Sequence, residues 1–343
     1  MKAVLIKDGV GPSSNLYIGD HDVPQPADGE VLVKVRAFGL NRMDLMQREG
    51  KYPLPPSAPK DIMGVEFSGH VVGSSSGGAG GFKAGDEVFG LATGGAYAEY
   101  IKVPTKMILH KPTTLSHEQA AAIPEAWLTA FQALNIISQL KEKEDVLIHA
   151  GASGVGLAAI QLAKAFGASG IYCTAGSAGK IATCESLGAT KGFNYKAENW
   201  GESLAKQTDG KGVDVILDFI GAPYIQDNIK SLKRDGRLVF LAFMGGAKVP
   251  EFDLAQLLFK RLHLEGTTLR SRSLDYQSEL VQGFVQTGML DKLAGAVKGE
   301  DGQGSSAHHI QIHDVLDWSK IKEAHDMMAA NKNTGKIIMT IPE

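Results

Sequence analysis

The stretch VLIHAGASGVGLAAIQLAKAFGA, Val146 to Ala168, constrains this chain more than any other. An apolar, strand-like run enters the glycines Gly151, Gly154 and Gly156, and an amphipathic helix over Leu157–Phe166 leaves them, closed by Gly167 at the C′ position. Bare backbone at such a turn, together with the unsatisfied N–H groups that open the helix, makes a cradle for a pyrophosphate. A glycine triplet alone is weak. Here a strand precedes it, a helix follows, and a second strand at Ile171–Ala175 comes where a dinucleotide-binding βαβ unit requires one.

The same alternation continues. Val213–Phe219, Arg237–Ala242 and Leu262–Gly266 read as strands, with a short one at Gly192–Asn194 and a helix at Lys180–Leu187 stopped by Gly188. Repeated β and α units of this length predict a parallel, doubly wound sheet. Residues 1–110 are different: AVLI, EVLVKVRAFGL, FSGHVVG, DEVFGLA and AYAEYIKV are short β-type segments divided by Gly, Pro and Asp, which predicts a mostly-β domain. Gly73–Gly81 reads as a surface hairpin or loop. After Gly266 come helices at Asp275–Thr287 and near Trp318–Ala330, a polar insertion, and a last strand, KIIMTI. That tail is too short to fold alone and is expected to complete the N-terminal domain. The expected division is residues 1–125, completed by 267–343, around a Rossmann domain at 126–266.

The end of the second strand decides which dinucleotide is held. An NAD site places an acid there for the ribose 2′-hydroxyl, but IYCTAGSAGK carries no Asp or Glu between Ile171 and Lys180. Ser177 and Lys180 can instead donate a hydroxyl and an ammonium to a 2′-phosphate, which argues for NADP(H). The plainer alternative is a capping serine and a solvated lysine.

Composition narrows the partners. The 343 residues carry 35 Lys and Arg against 38 Asp and Glu, a formal net charge of −3, so no basic excess favours nucleic acid. The longest apolar runs are strand-sized, far short of the roughly 20 residues of a bilayer span. No membrane association is expected. MKAVLI runs straight into a strand with no targeting pattern, and the chain is read as cytoplasmic. Cys173 and Cys184, the only cysteines, are too few for a structural zinc lobe and are expected to be buried thiols.

The segments LNRMDLMQREGKYP, AAAIPEAWLTAFQAL, VLIHAGASGVG, AGSAGK, GFNYK, FMGG and NKNTGKI are similar, in order and over nearly the whole chain, to the medium-chain dehydrogenase/reductase superfamily. Within it they resemble the zinc-free quinone oxidoreductase, or zeta-crystallin-like, branch. The resemblance implies a GroES-like catalytic domain built from both chain ends, a Rossmann domain between them, and a homodimer formed through the Rossmann sheets. Zinc-dependent relatives carry a catalytic Cys where this chain has Asn41, and a Gly-His-Glu triplet where it has Gly64, Val65 and Glu66. Neither Asn41 nor Val65 is an ordinary zinc ligand, so no metal is expected there. Glu66 is read as a surviving structural carboxylate, and His70 as a packing or surface residue on the following strand. His308 and His309 in the insertion are read as solvated.

Residue by residue, the resemblance implies that Asn41 and Tyr52 lie at the mouth of an interdomain cleft, as the catalytic candidates, with Thr129 against the cofactor. Ser153, Gly154 and Val155 would hold the pyrophosphate. Ser177, Lys180 and Tyr195 would take the 2′-phosphate, and Phe243, Met244, Gly245, Leu269 and Asn333 would line the nicotinamide half. Residue chemistry leaves plainer roles open for Asn41 in a turn, Tyr52 at a rim and Ser153 as a helix cap. The expected activity is zinc-independent, NADPH-dependent reduction of a small quinone or enone. The alternatives are a 2-alkenal or enoyl-thioester reductase, and a non-catalytic NADPH-binding, crystallin-like or RNA-binding protein.

Overall fold

The computed structural model describes residues 1–74, 80–295 and 308–342. The middle of the Gly73–Gly81 loop and most of the insertion before His308 lie outside the described residues. The chain divides into two compact units, Met1–Leu128 with Arg270–Glu343, and Thr129–Leu269.

The first unit opens with β1 (Lys2–Ile6) and β2 (Leu16–Asp20), an antiparallel pair. Next come β3 (Glu30–Gly39), helix α1 (Arg42–Arg48), β4 (Glu66–Ser74), β5 (Glu87–Leu91), β6 (Tyr100–Pro104) and β7 (Ile108–His110). Helices α2 (His117–Ala121) and α3 (Pro124–Phe131) lead out of it. In β3 the alternation EVLVKV buries Val31, Val33 and Val35 and turns the intervening residues outward, the period-2 pattern of a sheet with one face on the core. Phe38, Phe67, Phe89 and Tyr97 fill that core, each about 1.5–3 kcal/mol in favour of folding by burial.

The second unit contains β8 (Val146–Ile148), α4 (Gly154–Ala165), β9 (Ile171–Ala175), α5 (Ala178–Ser186), β10 (Lys191–Asn194), α6 (Trp200–Gln207), β11 (Val213–Asp218), α7 (Ile225–Ser231), β12 (Leu232–Phe240), α8 (Ala255–Lys260) and β13 (His263–Gly266). Its strands pair in parallel in the order β10-β9-β8-β11-β12-β13. Counted from β8 that order is 3-2-1-4-5-6, the doubly wound dinucleotide-binding topology, whose direction of winding reverses beside β8. Leu147, Ile216 and Leu238 from the sheet pack with Trp200, Leu204 and Ile229 from the helices.

The chain then returns to the first unit through helices α9 (Leu274–Gln286) and α10 (Met289–Gly295), β14 (Ile312–Asp317), α11 (Ile321–Ala329) and β15 (Lys336–Thr340). β15 pairs with β14 on one side and with β3 on the other, within the sheet order β14-β15-β3-β4-β5-β7. Three details depart from the sequence reading. Residues 42–48 are helical inside a region read as strands; AYAEYIKV is a strand only from Tyr100; and His70 lies on the same strand as Glu66, not on a following one. No helix among the described residues is long and apolar enough to cross a membrane.

Candidate functional site

In the second unit, β8 delivers the chain into a turn that admits no side chain at two of its glycines. A Cβ on Gly156 would lie 2.5 Å from the Ala150 carbonyl oxygen and 2.6 Å from that of Gly151; one on Gly151 would lie 2.6 Å from Cys173 Cβ. Ser153 caps α4, its hydroxyl accepting from the Gly156 N–H at 3.0 Å. The helix therefore begins at Gly154, three residues before the apolar periodicity starts. Val155 and Gly154 are half-buried at its opening turn, where the backbone N–H groups have no helical acceptor. A bare backbone cradle at a helix N-terminus, at the carboxyl end of the strand beside the winding reversal, fits a pyrophosphate.

At the end of β9 the chain turns at Gly176 into α5. Ser177 caps that helix, accepting from the Lys180 N–H at 3.4 Å. Tyr195, just beyond β10, crosses to the same turn: its hydroxyl lies 2.7 Å from where a Gly176 Cβ would stand, and Lys196 Cε lies 3.3 Å from that point. Ser177, Lys180 and Tyr195 thus start from one corner of the sheet. Lys196 was missed in the sequence because nothing in its local pattern marks it out.

Beneath the turn is a polar network that the sequence did not reveal. Asp218, fully buried at the end of β11, accepts from the Ile220 N–H at 2.6 Å and from Asn228 Nδ2 at 3.0 Å. The second bond fixes the Asn228 amide, so its Oδ1 faces His149 Nε2 at 2.7 Å and makes that nitrogen the donor. His149 Nδ1 then accepts from Thr174 at 3.0 Å, and burial holds the imidazole below its ordinary pKa, hence neutral. This network braces Ile220 and Gly221, against which the next loop docks: the Met244 N–H donates to the Phe219 carbonyl and that of Gly245 to the Ile220 carbonyl. Phe243 and Met244 remain about half exposed, while Leu269 is buried and Thr129 half-buried in the same unit.

In the first unit, Asn41 precedes α1 and is buried. Its Nδ2 donates to Glu66 Oε1 at 2.9 Å, and its Oδ1 accepts from the Lys336 ammonium at 2.7 Å. Lys336 also reaches the Leu40 carbonyl at 2.7 Å and Glu66 Oε1 at 2.5 Å, while Glu66 Oε2 accepts from the Glu125 N–H at 2.8 Å. This donor set does not fit a zinc ion. Val65 offers no ligand atom, and the oxygens of Asn41 and Glu66 already share an ammonium.

Asp44, one turn on, accepts from the Asn41 N–H at 2.8 Å and from the Tyr97 hydroxyl at 3.0 Å. Burial nonetheless raises its pKa to about 6, against the opposing pull of those hydrogen bonds and of Arg270. Glu125 goes further, pushed up to about 8 by burial and then by Glu66, so it is largely protonated at neutral pH. Tyr52 is half-buried with the Arg270 guanidinium over its ring, 5.4 Å from the centroid. Arg270 is held by the Thr93 carbonyl and Gln47 Oε1, both at 2.8 Å. Burial raises the Tyr52 hydroxyl pKa, the Glu125 charge adds to the rise, and Arg270 opposes it. Asn333 Nδ2 donates within its own loop, to the Gly335 carbonyl at 2.8 Å. Arg270 and Glu125 were not identified from the sequence, since neither stands in a recognisable spacing.

A β-rich GroES-like unit and a parallel Rossmann-like unit define the class. Residues 27–113 match the family described as alcohol dehydrogenase GroES-like domain, and residues 154–285 that described as zinc-binding dehydrogenase. The chain is 30% identical over 350 residues to a quinone oxidoreductase of Homo sapiens, covering 99% of this chain and 98% of that one. With that, the chain belongs to the medium-chain dehydrogenase/reductase superfamily, with quinone oxidoreductases among its relatives. Among solved structures, the Escherichia coli quinone oxidoreductase complexed with NADPH matches with a TM-score of 0.84 at 28% identity, covering 99% of this chain and 100% of that one. A CurK enoyl reductase matches with a TM-score of 0.82 at 26% identity, covering 99% of each.

Proposed function

We propose that this protein is an NADPH-dependent, zinc-independent oxidoreductase that reduces quinones or closely related conjugated carbonyls. The observation that carries the reading is the glycine cradle over the start of α4, paired with a 2′-phosphate corner in which Ser177, Lys180 and Tyr195 replace an acid. Ser153, Gly154 and Val155 would hold the pyrophosphate there, and Phe243 to Gly245, with Thr129, Leu269 and Asn333, the nicotinamide half. The NADPH-complexed E. coli relative supports the cofactor. When bound, NADPH supplies a hydride to an electrophilic acceptor.

The chain's own residues have the lesser chemical burden, since a quinone needs little acid catalysis. In this reading Tyr52, its ring fixed by Arg270, orients the acceptor oxygen and passes it a proton, and Asn41 anchors the adjoining backbone through Glu66 and Lys336. Glu125, protonated at neutral pH, is a nearby proton store. The similarity to an enoyl reductase favours a second reading with the same cofactor, in which the acceptor is an enal or enoyl thioester. We also read the protein as a homodimer joined through β13, an edge strand whose residues are all exposed, beside the exposed Leu254, Leu258 and Phe259.

Fluorescence titration with NADPH and NADH, followed by turnover with a quinone, an enal and an enoyl thioester, tests the proposal. Tighter binding of NADPH and faster quinone turnover are expected. Equal affinity for NADH would remove the 2′-phosphate corner; preference for the thioester would select the second reading; and binding without oxidation of NADPH by any acceptor would leave a non-catalytic protein. Tyr52→Phe is expected to slow turnover by about tenfold, less than the roughly 10²–10⁴-fold usual for a general acid because a quinone needs little acid catalysis, and an unchanged rate would discharge Tyr52 from that role.

A further inference from the structure

Three side chains of the first unit converge away from Asn41 and Glu66. His70 on β4 stands opposite Glu87 on β5 in the antiparallel register, and His117 is the first residue of α2. Their ligand atoms lie within 4.8 Å of one another. Glu87 Oε1 is 3.6 Å from His70 Nε2 and 3.3 Å from His117 Nε2. These separations exceed a good N–H···O hydrogen bond. They match the edge of a tetrahedral site, about 3.3 Å when ligands sit at about 2.0–2.1 Å from a zinc-like ion.

Proton accounting sharpens the point. Ser68 Oγ lies 2.9 Å from the Val88 carbonyl, to which it can only donate, and 2.8 Å from His117 Nδ1. With its one proton on Val88, the serine accepts from Nδ1–H, which in the neutral imidazole leaves a lone pair on His117 Nε2 facing the Glu87 carboxylate. Nε2 has no hydrogen-bond partner among the described residues. Two acceptors held face to face call for a cation between them. A second partner fixing the far nitrogen of an imidazole is also how metal-binding histidines are oriented.

The other carboxylate oxygen, Glu87 Oε2, is held by Lys111 at 3.1 Å, which aims Oε1 at the imidazoles. The side chains of His70 and Glu87 are 37% and 42% exposed, so an ion has a way in and water can complete its shell. Two imidazoles and one carboxylate suit zinc-class ions better than calcium or magnesium. We propose that His70, Glu87 and His117 bind one divalent transition-metal ion of the zinc class, tying together β4, β5 and α2.

The full-length chain, stripped with chelator, would be titrated with ZnCl₂ by calorimetry and with Co²⁺ by visible absorption. One ion per chain is expected, with cobalt bands of low-coordinate N/O ligation. His117→Gln and Glu87→Gln are each expected to weaken binding at least tenfold with quinone turnover unchanged, and Ser68→Ala about tenfold through loss of imidazole orientation. The wild-type cobalt spectrum stands independently of whether a variant folds. Absence of saturable binding to the wild-type chain, or affinity unmoved by His117→Gln and Glu87→Gln, would overturn the proposal.

Discussion

Glu125 shows how burial sets chemistry at a single residue. Its pKa is about 8 in the folded chain against an ordinary 4.5. A group whose folded value is raised stabilises most below its unfolded value and loses that contribution as pH rises through the folded one. Between about pH 5 and 8 the native state keeps a proton the unfolded chain has shed, so stability falls by about 1.4 kcal/mol per pH unit from this group. Glu125→Gln is expected to flatten that slope, read as the difference between wild-type and variant denaturant unfolding across pH 5 to 9; parallel curves would refute it. At this scale the sequence was only partly informative. Glu66 could be read as a structural carboxylate from the altered Gly-Val-Glu triplet, but its ammonium partner, Lys336, is 270 positions away and carries no local signal. The tie between Tyr52 and Arg270 is hidden for the same reason.

Among elements, the strand, glycine turn and helix of Val146–Ala165 were the most legible, because period, capping serine and close-approach glycines agree. Gly156→Ala is expected to cost about 1–3 kcal/mol, as overpacking does, since its Cβ would collide with two carbonyl oxygens. It should also weaken NADPH binding by tenfold or more in the same titration; native stability and affinity together would show that the loop yields. Less legible were α1 and β14. The short LNRMDLMQREG pattern is too brief for helical periodicity to outweigh the surrounding strands, and IHDVLD holds charges that mute its alternation. Both are fixed by what they pack on. β14 takes its place from five paired positions along β15.

For the whole molecule, the exposed Leu258 and Phe259, 74% and 67% accessible, beside the uncovered edge of β13 are the features most out of keeping with an isolated chain. Leu258→Glu is expected to halve the mass measured by light scattering from that of a dimer; a wild-type chain already at monomer mass would refute the dimer. A different consequence follows from β15, which lies inside its sheet between β14 and β3. During synthesis the ribosome must release Lys336–Thr340 before β3 can gain its last neighbour, whereas Thr129–Leu269 has all its strands long before then. Until residues 336–340 are made, the newborn chain therefore carries a Rossmann-like unit able to fold and a β-rich unit held open. A ribosome stalled short of Lys336 would leave the β-rich unit as an unfinished sheet.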